Sequence, residues 1–264
     1  MEYIYETHLH TSESSACGMS RGSEYVKRYQ DLGYAGIIVT DHFFGGNTAV
    51  PRALPWRERI HRFCRGYENA REAGDKAGFP VFFGWEEHFQ GDEYLIYGLN
   101  KQWLLDHPEA GHWTRKEQFD AVHAAGGCVV QAHPFRDRDY IPAIRLSTGC
   151  ADGVEAYNAA NRPENDALAV RYARALGLPM TAGSDIHQIR QWPEEHMMGV
   201  VFDQPLASIH DYVKAIREKR PFGVKTPPGR GDWREGISIH LPVDIRDGMD
   251  KSVRRDVWEL LAGI

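Results

Sequence analysis

Eight short apolar runs, separated by polar stretches with helical patterning, constrain this chain more than any other feature. They fall at residues 3–7, 35–40, 80–85, 93–99, 127–132, 153–157, 178–182 and 199–202. Most are continuously apolar, as strands covered on both faces are. Between them, Ser23 is placed to cap a helix over 24–32 that ends at Gly33, and Thr114 with Glu117 reads as a capping box for a helix stopping at Gly126-Gly127. Pro163 suits the first turn of a helix ending at Gly177, and Ser208 is placed to start another over 209–219. Strand alternating with helix predicts parallel pairing. About seven such units point to an α/β barrel, although a doubly wound sheet would leave the same string. We expect one domain over 1–264, with the motifs described below in 6–190. The stretch 200–264 would complete or flank the barrel, with a Pro/Gly-rich turn region at 225–231 and a closing amphipathic helix over 251–261.

Composition narrows the function classes. With 31 basic and 37 acidic residues the net charge is −6, which argues against a broad nucleic-acid surface but leaves a local positive site open. No apolar run is long enough to span a membrane, and the first residues lack a basic stretch followed by an apolar one. Cys17, Cys64, Cys128 and Cys150 form no CxxC pair and no disulfide framework. A reduced, cytoplasmic protein is the expectation. Oligomeric state is not legible. The count that stands out is 13 histidines.

Those histidines gather where strands end, the place where barrel enzymes carry their sites. After the first strand stands His8-Leu9-His10, and the second ends Thr40-Asp41-His42. The third runs into Gly84-Trp85-Glu86-Glu87-His88, the fifth ends Ala132-His133-Pro134, and the seventh ends Gly183-Ser184-Asp185-Ile186-His187. In an extended segment His8 and His10 share one face, as do Asp185 and His187. Two such pairs with a carboxylate from a third strand give nitrogen and oxygen ligation suited to Zn²⁺, Mn²⁺ or Fe²⁺. A carboxylate can also bridge two ions for hydrolysis.

The ordered set HLH, TDH, GxE, AHP and GSDxH resembles the PHP superfamily (polymerase and histidinol phosphatase domain). The resemblance implies a distorted (β/α)7, TIM-like barrel with two or three divalent metal ions, in enzymes that mostly hydrolyse phosphoesters. It further implies that His8, His10, Glu86 and Asp185 hold one ion, that Glu86 bridges to a second held also by His133, and that His42 and His187 hold a third. Glu86 matches better than Glu87 because it follows Gly84 by two residues. The chain departs from the pattern in two places. Where many relatives have Asp or His five or six residues after HxH, Ser15 and Ala16 stand here; Glu13 and Cys17 are the candidate substitutes, with Glu13 preferred. Where many have a histidine on the next strand, Glu93 stands here, either a ligand or a solvated residue.

Arg136, just after His133-Pro134-Phe135, is placed either to grip a phosphate bidentately or to lie on the surface. Asn158 and Arg162 are further substrate candidates, and the loop 43–56 is long enough to act as a lid. His61, His107, His112, His123, His196, His210 and His240 fall in helical or loop patterns and read as structural or solvent-facing. The function expected is metal-dependent hydrolysis of a small-molecule phosphoester by activated hydroxide. His42 or His187 would protonate the leaving group if the third position is empty. Two rivals stand beside it: an amidohydrolase acting on a C–N or ester bond, and a non-catalytic metal-binding or regulatory module.

Overall fold

In the computed structural model, which describes residues 1–262, all eight expected strands form. The strands are β1 (Tyr3–Glu6), β2 (Gly36–Val39), β3 (Val81–His88), β4 (Glu93–Tyr97), β5 (Cys128–Ala132), β6 (Ile144–Ser147), β7 (Gly153–Asn158), β8 (Met180–Gly183), β9 (Gly199–Phe202), β10 (Gly223–Lys225), β11 (Val243–Arg246) and β12 (Ser252–Val253). The helices are α1 (Gly22–Asp31), α2 (Trp56–Phe63), α3 (Arg65–Ala77), α4 (Lys101–Asp106), α5 (Arg115–Ala124), α6 (Pro163–Leu176), α7 (Ile209–Arg217) and α8 (Val257–Ala262).

Nine strands run in the order β10-β9-β1-β2-β3-β4-β5-β7-β8. Beyond β8 and β1 the backbone continues to pair: Leu9 and Ile186 form a parallel bridge, with His10 N donating to Ile186 O at 2.9 Å. That contact nearly closes seven strands into a mixed α/β barrel and excludes the doubly wound sheet. At its other end β1 pairs with β9, so β9 and β10 extend the wall.

Pairing departs from the expected all-parallel pattern. β4 runs antiparallel to both β3 and β5, and β9 runs antiparallel to β1. Only residues 89–92 separate β3 from β4, too few for a crossover, which needs a dozen or more.

Local signals behave as their chemistry requires at several helix ends. Thr114 and Glu117 exchange the reciprocal bonds of a capping box, and Pro163 opens α6, which closes at Gly177 in the left-handed conformation (φ 60°). Other boundaries shift. Helix α1 begins at Gly22 rather than after Ser23, because Glu24 folds back to accept Arg21 N at 2.7 Å. The expected closing helix is confined to α8; its first residues instead form β12, paired with β11, which lies parallel to β6. This small sheet and α8 pack Ile245, Leu260 and Leu261 into one apolar cluster with Phe135, Leu146 and Tyr172. The stretch 57–77, without an element in the sequence reading, forms α2 and α3.

Candidate metal centre

The site forms at the C-terminal ends of the barrel strands because strand alternation sends the motif residues inward and their neighbours outward. Leu9 and Ile186, each between two candidate ligands, pack together with Tyr25 and Ile37. Trp85 joins the cluster of Phe43 and Phe63 on one side of Glu86. Glu87 points away from the centre, accepting Gly45 N (3.3 Å) and His88 N (3.1 Å).

What converges inside is nitrogen and oxygen. His8 Nε2 lies 3.1 Å from His10 Nε2, 3.2 Å from Glu86 Oε1 and 3.6 Å from Asp185 Oδ1. His10 Nε2 is 3.2 Å from Asp185 Oδ1 and 3.5 Å from Glu86 Oε2. His133 Nε2 is 3.2 Å from Glu86 Oε1 and 3.5 Å from Glu93 Oε2. His42, His187 and His10 bring one ring nitrogen each within 4.8 Å of one another, and so do the donors of His42, Glu86 and Glu93. Every histidine of the strand-end motifs except His88 therefore enters the cluster, together with Glu86 and Asp185.

The donor set fits divalent ions. His42 Nδ1 and Glu86 Oε2 are 2.7 Å apart, yet both are buried without a hydrogen bond. Buried polar atoms left so are rare and need a partner of another kind. Backbone strain marks the same place: His133 and Asp185 both adopt positive φ, 29° and 47°. Such conformations cost about 1–3 kcal/mol each outside glycine and persist where surrounding structure enforces them.

A second ring of residues fixes the donors. Glu155, fully buried on β7, accepts His8 Nδ1 at 2.9 Å, His133 N at 3.2 Å and Asn158 Nδ2 at 2.8 Å. A carboxylate behind an imidazole sets its tautomer and leaves Nε2 free for an ion. Ser15, in the place of the expected Asp or His, acts behind a ligand instead: its Oγ lies 3.3 Å from His10 Nδ1 and bonds Asp41 Oδ1 at 2.7 Å. His187 Nδ1 meets the Asp185 carbonyl at 3.0 Å. The GSDxH glycine has a steric reason, since a Cβ at Gly183 would lie 2.5 Å from both Glu155 Oε1 and His8 Cβ.

Charge within the cluster sorts by contact. Burial depresses the proton affinity of His8, but Glu155, Asp185 and Glu86 override it and hold the ring well above its ordinary value. His10, buried and facing His42 and His187, is pushed well below. Burial would raise Glu86, yet His8 and His42 hold it well below the carboxylate range; Arg136 and His8 do the same for Asp185. Burial would also raise the Cys17 thiol, but hydrogen bonding to His187 and His42 brings it down to about 6.

The remaining sequence candidates separate. Arg136 lines the cavity, bonding Asp185 Oδ2 at 2.6 Å, Asn158 Oδ1 at 2.9 Å and Asn161 Oδ1 at 3.0 Å. Asn158 is fully buried, and its side chain bonds Arg136, Glu155 and Ala160 N. Arg162 lies exposed at the start of α6 and pairs with Asp137, away from the cavity. Glu13 also lies away from the cluster: its carboxylate accepts Gly22 N at 3.1 Å and Asn69 Nδ2 at 2.8 Å at the start of α1. A cavity of about 540 Å³ opens onto the cluster, walled by Cys17, His42, Glu93, Arg136, Asp185 and His187, with Gly45, Gly46 and Asn47 of the 43–56 loop at its rim.

No family model matches the sequence, and no curated protein does. Solved structures do. The fold is similar to that of a two-domain protein from Bacteroides vulgatus containing a predicted PHP-like metal-dependent phosphoesterase. The TM-score is 0.66 at 18% identity, over 86% of this chain and 65% of that one. The chain thus spans about two thirds of that protein's length. It is also similar to PsfC from Pseudomonas syringae (TM-score 0.51, 17% identity, 87% of this chain and 93% of that one). A candidate metal-dependent phosphoesterase from Bifidobacterium adolescentis gives TM-score 0.50 at 16% identity, over 80% and 96%. These likenesses show a shared fold, the nearly closed mixed α/β barrel described above. Among the described residues, no helix is long and apolar enough to cross a membrane.

Proposed function

We propose that the protein is a metal-dependent hydrolase of a small-molecule phosphoester. The observation that carries this reading is the buried convergence of His8, His10, Glu86, His133 and Asp185 beneath an open cavity, with His42 Nδ1 and Glu86 Oε2 meeting at 2.7 Å without a hydrogen bond. His8, His10, Glu86 and Asp185 would hold one ion, and Glu86, His133 and Glu93 a second, with His42 and His187 at a third position. When bound, such ions supply Lewis acidity, lower the pKa of water toward neutrality and neutralise phosphoryl charge.

The chain's own residues do the rest. Arg136, anchored through Nε and Nη2, has no hydrogen bond at Nη1 among the described residues and lines the cavity, where a guanidinium suits a phosphate oxygen. When the third position is empty, His187, about a quarter exposed, or His42, both lining the cavity, would pass a proton to a leaving alcohol. The cavity's volume suits a small molecule. The C-terminal segment supports the single-domain reading, because Arg230 clasps Asp166 Oδ2 (2.6 Å), Asn158 O (2.8 Å) and Asn161 O (2.7 Å) beside the centre.

The test is phosphate release from a panel of phosphomonoesters and diesters. It is run on protein as purified, after chelation, and after return of Mn²⁺, Zn²⁺ or Fe²⁺. Activity lost on chelation and restored by metal is expected, with His10→Ala and Asp185→Ala losing metal and activity together. Silence on phosphoesters with amine release from amides would replace the reading by an amidohydrolase. Metal bound without any hydrolysis would leave a binding module.

A further inference from the structure

Resting on that reading of the centre, we infer that Tyr140 receives the organic part of the phosphoester, and that the preferred substrate carries a planar, aromatic or heteroaromatic ring there. The candidate metal donors are mostly buried at the floor of the cavity, and Arg136 stands in its wall. A phosphoester held by those groups must send its organic part outward, toward the mouth. The rest of the lining is imidazole, carboxylate, guanidinium, thiol, amide and glycine; among the described residues, Tyr140 alone brings a phenol ring to it. That residue is 77% exposed, so a large apolar body with a polar tip stands in water at the entrance.

The loop that carries Tyr140, residues 133–143 between β5 and β6, is held at several points. Arg136 N donates to His133 O at 2.9 Å, Ile141 N to Arg138 O at 2.8 Å, and Arg138 Nη2 to Ala160 O at 2.6 Å. Ile141, next in sequence, is buried against the 89–92 connection, where a Cβ at Gly91 would lie 3.7 Å from its Cγ2. The tyrosine is thus presented from a fixed backbone, which lowers the ordering cost of binding against it. Across the mouth stand Gly45 and Gly46, which follow β2, three strands round from β5 in the seven-stranded ring. Having no side chains, they leave room opposite Tyr140 for a flat group.

The experiment compares benzyl phosphate with cyclohexylmethyl phosphate, which share the reacting group and ring size but differ in planarity and π-electrons. Both are measured on the metal-loaded full-length chain, as substrates and as competitors of the best ester of the panel. The wild type should bind the benzyl ester about 2–10-fold more tightly, the gain an aromatic pair makes beyond its buried area. Tyr140→Ala should weaken both esters and erase the difference, with the effect in KM and in the inhibition constants rather than in kcat; Tyr140→Phe should keep it. Circular dichroism on both variants reports folding, and the phenylalanine variant against a wild type that shows no preference still decides if the alanine variant fails to fold. Equal binding of the two esters by the wild type, a preference that survives Tyr140→Ala, or neither ester binding while another phosphoester is cleaved overturns this inference and leaves the phosphoesterase reading standing. No cleavage of any phosphoester overturns that reading, and this inference with it.

Discussion

Glu155 is fully buried behind His8, yet replacing it by glutamine should weaken metal binding by about 10–100-fold, the usual effect of removing a partner behind a ligating histidine. The reason is donor arithmetic. One carboxylate oxygen accepts His8 Nδ1 at 2.9 Å, and the other accepts His133 N at 3.2 Å and Asn158 Nδ2 at 2.8 Å. A glutamine has one acceptor end and one donor end. If its oxygen faces His8, its NH₂ opposes two donors; Asn158 cannot relieve this by turning over, because its Oδ1 is held by Arg136 and Ala160 N. Leaving such donors unsatisfied in a buried place costs about 1–3 kcal/mol of folding stability. If instead the NH₂ faces His8, the ring must put its proton on Nε2, the atom that points at Glu86 and His10. The lone pair available to an ion is then gone. Tenfold to hundredfold in affinity is about 1.4–2.7 kcal/mol, so both routes cost similar amounts. Chelator-competition titration of Glu155→Gln and the wild type, with thermal melts of the metal-free proteins, measures both. Wild-type affinity together with a wild-type melting temperature would refute the reasoning.

Other perturbations test the same scaffold. Gly183→Ala drives a methyl to within 2.5 Å of His8 Cβ and Glu155 Oε1, and should lower metal occupancy with an overpacking loss of about 1–3 kcal/mol, measured by denaturant melts and ion counting. Arg230→Ala leaves the buried Asp166 carboxylate without its ion pair and should cost about 3–5 kcal/mol in the same melts. Burial pushes Glu87 up to about 8 from its ordinary value of 4.5. Between those values the folded chain keeps a proton that the unfolded chain releases, so stability falls as pH rises through the window. Glu87→Gln keeps both bonds to Oε1, so metal-free Glu87→Gln should gain a few kcal/mol on the wild type from pH 5 to pH 9. A difference independent of pH would exclude a buried neutral carboxyl. Returning an ion at 100 times its dissociation constant should stabilise the chelated protein by about 2.7 kcal/mol, visible as a rise in melting temperature.

What the sequence disclosed of this centre was the part written locally. HLH and GSDxH place paired donors on one strand face whatever the rest of the chain does, and Leu9 and Ile186 fill the core as alternation requires. Residues brought in from afar left no such mark. Glu155 is the one acid in strand β7, and nothing near it in sequence says that His8 and His133 lie against it. The choice between Glu13 and Cys17 turned on how the loop after β1 folds back. The sequence reading preferred the Glu13 carboxylate, but the fold of that loop sends it to the start of α1, where it accepts Gly22 N. Antiparallel β4 was legible in principle from the short 89–92 connection; alternation of apolar and polar runs alone concealed it. The tail hid most. Its strands are short and half-exposed, so no apolar run announces them, yet Arg230 from that segment holds the carbonyls of Asn158 and Asn161. Asn158 in turn orients Glu155 and Arg136. The chain of contacts from tail to His8 is continuous, so a substitution far from the strand-end motifs can still move the ligand that those motifs define.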